Sequence, residues 1–191
     1  RLVGAHVLHV STDYVFDGTK PEPYHEWDDP NPQSVYGRSK LGGEREADPS
    51  HTIVRTSWVC GAHGPNMVKT VLALIDQPEL AFVDDQHGCP SFTADLAPLL
   101  RRLAVARVGG TFHVTNQGTT SWFGFVRDIL ELAGSDPAKV RPITTADLDP
   151  PRAAPRPANS VLDNAALRHV GLPLLPHYRD PLERLVRALR S

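Results

Sequence analysis

The sequence predicts an α/β protein: a doubly wound parallel sheet, present in part, with a small α/β lobe beside it. Three observations carry this. Short apolar, β-branched stretches at 5–11 (AHVLHVS) and 51–59 (HTIVRTSWV) read as buried strands. Stretches with apolar residues at helical spacing alternate with them, as a parallel sheet requires. The 191 residues, 40% of them hydrophobic, suffice to bury a substantial core in one domain, or in one domain plus a small lobe.

The elements follow in order. After the strand at 5–11, the prolines and acids of 17–34 (DGTKPEPYHEWDDPNPQS) exclude a helix or a central strand. Residues 35–46 (VYGRSKLGGERE) read as a helix, and its two adjacent glycines imply close packing against it. The second strand, 51–59, precedes a helix over 66–77 that Pro78 stops. A short strand at 80–85 leads into the loop 86–92. Residues 93–106 form a helix capped by Thr93 or Asp95. A Gly-Gly turn opens the strand 109–116. An amphipathic helix over 120–134 starts at a Thr120 or Ser121 cap and ends at Gly134. Residues 149–157 (DPPRAAPRP) form an extended loop. Helices at 163–171 and 181–191 close the chain. The expected division places the catalytic part of the sheet at about 1–77 and mixes the lobe into 78–191.

Composition excludes several function classes. A net charge of −2 gives no bulk attraction to nucleic acid. The arginines of 183–191 read as the polar face of a helix. No apolar run approaches the roughly 20 residues that span a membrane, and no signal peptide is visible. Cys60 and Cys89 form neither a metal nor a redox motif and read as reduced thiols of a cytoplasmic protein. The histidines, His87 among them, lack ligand spacing. Asp84–Asp85 reads as a turn rather than a cation site, so no metal is expected. The opening residues lack an initiator Met and enter a strand at once, so an N-terminal portion is expected to precede them.

The chemistry gathers around Tyr36 and Lys40. Four residues apart on a helix, they project from one face. A phenol ordinarily titrates near 10, and a nearby ammonium favours the phenolate. A tyrosine so placed can hand a proton to a carbonyl oxygen as hydride arrives. Ser11 and Thr12, at the end of the preceding strand, offer a second hydroxyl. Tyr-x-x-x-Lys also occurs by chance in many helices, and spacing alone leaves both readings open. In a parallel sheet, ligands bind beyond the carboxyl ends of the strands, which is where STDYVFDG and TSWV fall.

Strand, Ser-Thr, loop and Tyr-x-x-x-Lys helix, in that order, resemble the extended short-chain dehydrogenase/reductase superfamily. STDYVFDG, YGRSKLGGE, VRTSWVCG, DDQHGCPSFTADLA and RPANSVLD together resemble the dTDP-4-dehydrorhamnose reductase family across essentially the whole chain. The resemblance implies a Rossmann-type sheet and reduction of a dTDP-linked 4-keto sugar with NADPH or NADH. It implies Tyr36 as catalytic acid, Lys40 as the residue that holds the nicotinamide ribose and tunes Tyr36, and Thr12 as the assisting hydroxyl. Ser11, Thr56 and Ser57 would line the cofactor's nicotinamide end. Asp13, Trp58 and Arg156 would meet the substrate, Trp58 with a flat ring face and Arg156 at the nucleotide phosphates. The 85–90 segment (DQHGCP) would shape the sugar pocket, and a homodimer is possible.

The sequence departs from the family pattern at Cys60, where a tyrosine is usual, and at Ser91, where a threonine is usual. The larger departure is that no glycine-rich strand–turn–helix for a pyrophosphate appears. Gly42–Gly43 lies inside a helix and Gly109–Gly110 precedes a strand. The expectation is a catalytic half and substrate lobe without most of the dinucleotide site. Other readings are a non-catalytic interaction subunit of the same fold, and a related sugar-nucleotide epimerase or dehydratase.

Overall fold

The computed structural model describes residues 3–190. Its elements are β1 (Leu8–Thr12), a 3-10 turn (Asp13–Val15), α1 (Val35–Glu46), β2 (Thr52–Thr56), β3 (Val59–Cys60) and α2 (Met67–Ala73). Then come β4 (Leu80–Val83), β5 (His87–Gly88), β6 (Ser91–Phe92), α3 (Thr93–Val105) and β7 (Gly110–His113). The chain closes with β8 (Thr120–Ser121), α4 (Trp122–Leu132), β9 (Val140–Ile143), α5 (Ala165–His169) and α6 (Arg179–Arg190).

Two regions share the chain. The first is a parallel sheet in the order β1-β2-β7. Its register sets Ser11 beside Arg55 and Thr12 beside Thr56, and Arg55 beside His113. Helix α3 packs on β1 and β2, and α5 on β7. Val54, Phe112 and Val114 meet Leu96, Leu99, Leu103 and Leu167 in one apolar cluster. A smaller cluster joins Val15, Phe16, Tyr24, Leu41 and Leu162. Among the described residues β1 pairs only with β2, and Val7 and Val10 stand exposed.

The second region is a lobe around the parallel pair β4–β9, with α2, α4 and α6 packed on it or on one another. Phe125, Val126, Ile129 and Leu130 of α4 are wholly buried against Val68, Val71, Leu182 and Val186. Burying each such side chain is worth about 1.5–3 kcal/mol. The two regions interleave along the chain: α2 joins the lobe, and α3 and β7 return to the sheet.

The structure corrects several expected boundaries. The strand expected at 51–59 breaks at Ser57–Trp58, and β3 leaves the sheet to pair with β6. The helix expected to reach residue 77 stops at Ala73 and continues as a turn. The loop 86–92 holds two short strands, and β9 had no sequence signal because Pro142 breaks its pattern. Neither Thr93 nor Asp95 caps α3, whose cap residue is Phe92. The Asn116 side-chain oxygen accepts from the Phe92 amide at 2.9 Å, and Asp95 is engaged by Asn116 and Arg184. Ser121 does cap α4, accepting from the Gly124 amide, and Gly134 ends that segment at φ 71°. Helix α6 begins two residues earlier than expected, and Ser191 lies outside the described residues. The arginines of 183–191 lie on its polar side as expected, with Arg184 on Asp95 and Arg187 on Glu183, and Arg179 of the added first turn pairs with Asp128 and Glu131.

Candidate active site

The carboxyl ends of β1 and β2 open into a cleft of about 370 Å³. All nine residues singled out from the sequence border it: Ser11, Thr12, Asp13, Tyr36, Lys40, Thr56, Ser57, Trp58 and Arg156. Val10, Tyr14, Val59 and Trp122 complete the lining.

Helix α1 presents the first pair. Ser34 caps it by accepting from the Gly37 amide at 3.0 Å, which orients the first turn. Tyr36 is 53% exposed and faces the cleft mouth. Its ring meets Tyr14 edge-on at 5.8 Å. The Lys40 ammonium donates to the Val10 carbonyl oxygen at 2.7 Å, which ties the helix to the strand that ends in Thr12.

The strand ends supply hydroxyls of two kinds. Thr12 donates to Asp13 at 2.9 Å and accepts from the Tyr14 amide. The Thr56 hydroxyl is buried with no partner in the chain. An orphaned buried hydroxyl at a cleft is a group awaiting a ligand or water. Ser11 and Ser57 behave otherwise. The Ser11 hydroxyl donates to Glu44 behind the sheet, and the Ser57 hydroxyl to the Cys89 carbonyl oxygen at 2.7 Å. Their hydroxyls are committed within the fold, so the expected cofactor contacts would fall to their backbone.

Asp13 is buried, and one of its carboxylate oxygens lacks a partner. Burial pushes its carboxyl up to about 6, with the Ser160 and Thr12 hydroxyls pulling the other way. Burial likewise raises the Tyr14 phenol, against the pull of Arg156, whose guanidinium donates to the Tyr14 oxygen at 3.2 Å. A neighbouring opening of about 570 Å³ runs from Val35 and Tyr36 to Arg152 and Arg156, adding a second arginine to the expected one.

Trp58 sits in the left-handed region at φ 46°, a conformation costing about 1–3 kcal/mol that needs local support. The support is visible. The Trp58 carbonyl oxygen accepts from the Ser91 amide, and the ring stacks on Trp122 at 3.6 Å and 6°. A Cβ at Gly88 would stand 2.6 Å from the Trp58 ring, so residue 88 must be glycine. One face of Trp58 is therefore covered by Trp122. Trp122 opens a helix 64 positions later, and nothing in the local sequence announced it.

The motif segments also meet. Gly18 of STDYVFDG has φ 82°, and a Cβ there would lie 2.4 Å from Pro157 of RPANSVLD. The glycine lets the arginine-bearing loop close over the cleft. Asp84 accepts from Ser121 and Asp85 from Thr145, which gives both acids loop roles. Cys60 and Cys89 are free and buried. No cluster of potential metal ligands occurs among the described residues.

A Tyr-x-x-x-Lys helix beside a hydroxyl-ended parallel strand defines the class as the short-chain dehydrogenase/reductase architecture. The chain belongs to the family described as the RmlD substrate binding domain, whose model matches residues 1–191. It is 44% identical over 199 residues to a dTDP-4-dehydrorhamnose reductase of Streptomyces griseus, covering 99% of this chain. The chain spans 65% of that relative's length. Among solved structures, a dTDP-4-dehydrorhamnose reductase ortholog from Clostridium acetobutylicum superposes with a TM-score of 0.93 at 41% identity, covering 100% of this chain and 68% of that one. The Bacillus anthracis enzyme in complex with NADP gives 0.91 at 38%, with the same coverage.

Proposed function

We propose that this chain carries the catalytic part of an NAD(P)H-dependent 4-ketoreductase that converts dTDP-4-dehydro-L-rhamnose to dTDP-L-rhamnose in the cytoplasm. The observation that carries it is the convergence of Tyr36, Lys40 and Thr12 on one cleft with Asp13 and Trp58. The relatives named above bear that activity in their names, and one was solved with NADP.

The residues present fit the nicotinamide end of such a cofactor. Lys40 offers an ammonium, Thr56 an unpartnered buried hydroxyl, and Val10 and Val59 an apolar wall. A nicotinamide held there by Lys40 and Thr56 would supply hydride chemistry at C4 of the sugar. Tyr36 gives its hydroxyl proton to the C4 oxygen as that oxygen gains charge, and Lys40 stabilises the phenolate left behind. Thr12, whose single hydroxyl proton lies on Asp13 in the structure, would turn that proton to the same oxygen when the sugar binds and so orient the carbonyl. Asp13 accepts from a sugar hydroxyl with its free oxygen. Arg152 and Arg156 meet the diphosphate, where a planar guanidinium suits phosphate oxygens.

The test is NADPH oxidation by the intact gene product with the keto sugar, beside Tyr36→Phe. The expected loss in kcat is about 10²- to 10⁴-fold, the range of one positioned acid. An unchanged rate removes Tyr36 from the reaction. Sugar-nucleotide binding without any turnover by the unaltered protein would return the reading of a non-catalytic subunit.

A further inference from the structure

We propose that the buried pair Glu44–Arg55 is a positioning device that sets the catalytic helix on its sheet. The proposal rests on the ketoreductase reading for its kinetic consequence and on geometry alone for its structural one.

Tyr36, Lys40 and Glu44 are each four residues apart, so they share one face of α1. The Glu44 carboxylate is the innermost of the three. Arg55 grips it with two nitrogens, Nε at 3.0 and 3.2 Å from the two oxygens and Nη2 at 2.7 Å from one. Both side chains are 5% exposed. The other end of the guanidinium donates to the Glu26 carbonyl oxygen at 3.3 Å, and its plane lies over the Phe16 ring. The carboxylate also accepts from the Ser11 hydroxyl.

Ser11 and Arg55 are register partners on adjacent strands. One carboxylate thus holds α1 to β1 and β2 at the same level. The next pair along the register is Thr12 and Thr56, the two hydroxyls of the cleft. The clamp therefore lies one residue beneath the reacting groups and two helical turns from Tyr36.

Apolar packing could not perform this placement. Within α1 only Gly37, Leu41 and Glu44 are buried, so a single large apolar side chain faces the core. A helix with so narrow a stripe can turn or slide at small loss of burial. Close backbone contacts set its distance. A Cβ at Gly43 would press on the His9 ring, and one at Gly37 on the Tyr14 carbonyl oxygen. They leave rotation and sliding open, and the forked ion pair closes both. A buried ion pair is weak evidence for stability, since apolar replacement of both partners is often neutral or stabilising. Its use here is geometric.

The discriminating variant removes both charges: Glu44→Leu with Arg55→Met. It removes both charges of the pair and leaves only the Ser11 hydroxyl and the Glu26 carbonyl oxygen to find new partners, so it is expected to fold and to melt within several degrees of the unaltered temperature. With the keto sugar, kcat is expected to fall roughly 10- to 100-fold while KM stays within about two-fold, as misplacement of a reacting group by about 1 Å would produce. Arg55→Lys, which keeps the charge and loses the fork, is expected to show the same split. Full kcat in a well-folded double variant overturns the proposal. A crystal structure of the double variant is a readout independent of turnover. Lys40 is expected to have left the Val10 carbonyl oxygen, and a helix α1 still in its original place overturns the proposal even if the unaltered protein proves inactive.

Discussion

Helices α1 and α4 bury comparable lengths by different means. In α4, Phe125, Val126, Ile129 and Leu130 form a continuous apolar stripe. In α1 the buried positions are a glycine, a leucine and a glutamate. The lobe is thus held by burial that is non-directional and roughly additive in area. Helix α1, which carries Tyr36 and Lys40, is held by directional contacts: the Ser34 cap, the Lys40 bond to Val10 and the Glu44 clamp. Stability and the geometry of the cleft are therefore lodged in different parts of the chain and should respond to different substitutions.

The largest effect that could break this division is in the lobe. Phe125→Ala is expected to lower the unfolding free energy by about 3–5 kcal/mol, read by urea denaturation. Activity per folded molecule should persist below the transition. A variant that stays stable but loses turnover would show that the two regions are not separable.

Asp13 sharpens the comparison from the cleft side. Its folded-state pKa, about 6, lies above the unfolded value of 3.8. The folded chain thus holds this proton more tightly, and the stabilisation is full below pH about 4 and lost as pH rises through about 6. Asp13→Asn should remove that decline, so its stability relative to the unaltered protein should rise by up to about 3 kcal/mol between pH 4 and 7. A difference that stays flat over that window would show Asp13 to be better solvated than its burial implies. Activity should fall in the same variant, which places a stability cost inside the working cleft.

The smallest effect concerns the seam between the regions. Trp122 belongs to the lobe helix and stacks on Trp58 of the cleft. Trp122→Leu is expected to raise KM for the sugar nucleotide about five-fold, the equivalent of the roughly 1 kcal/mol in an aromatic pair, with kcat nearly kept. No change in KM would mean that Trp58 holds its pose without the stack.

Much of the cleft was legible because its chemistry is local. Tyr36 and Lys40 are fixed on one face by helical spacing, and Thr12 and Asp13 sit where an apolar strand gives way to polar residues. The parallel sheet was legible for the same reason, as strand-forming runs alternate with amphipathic helices. Ser11 shows the limit. Adjacency to Thr12 suggested a shared role, but successive residues of a strand face opposite sides, and its hydroxyl went to Glu44. The start of α3 was misread because its cap residue, Phe92, has no capping side chain and is instead fixed by Asn116, 24 positions away, which accepts from its amide.

The sequence by itself determined the α/β pattern, the Tyr36–Lys40 pair and the strand-end hydroxyls, since each depends on periodicities of 3.6 or 2 residues. Tertiary structure decided that Trp122 backs Trp58, that Gly18 admits Pro157, and that Glu44 joins Ser11 and Arg55. These are contacts between residues 64, 139, 33 and 11 positions apart. Only the folded chain brings such groups within bonding range, because their meeting depends on how strands pair and helices dock rather than on any local spacing.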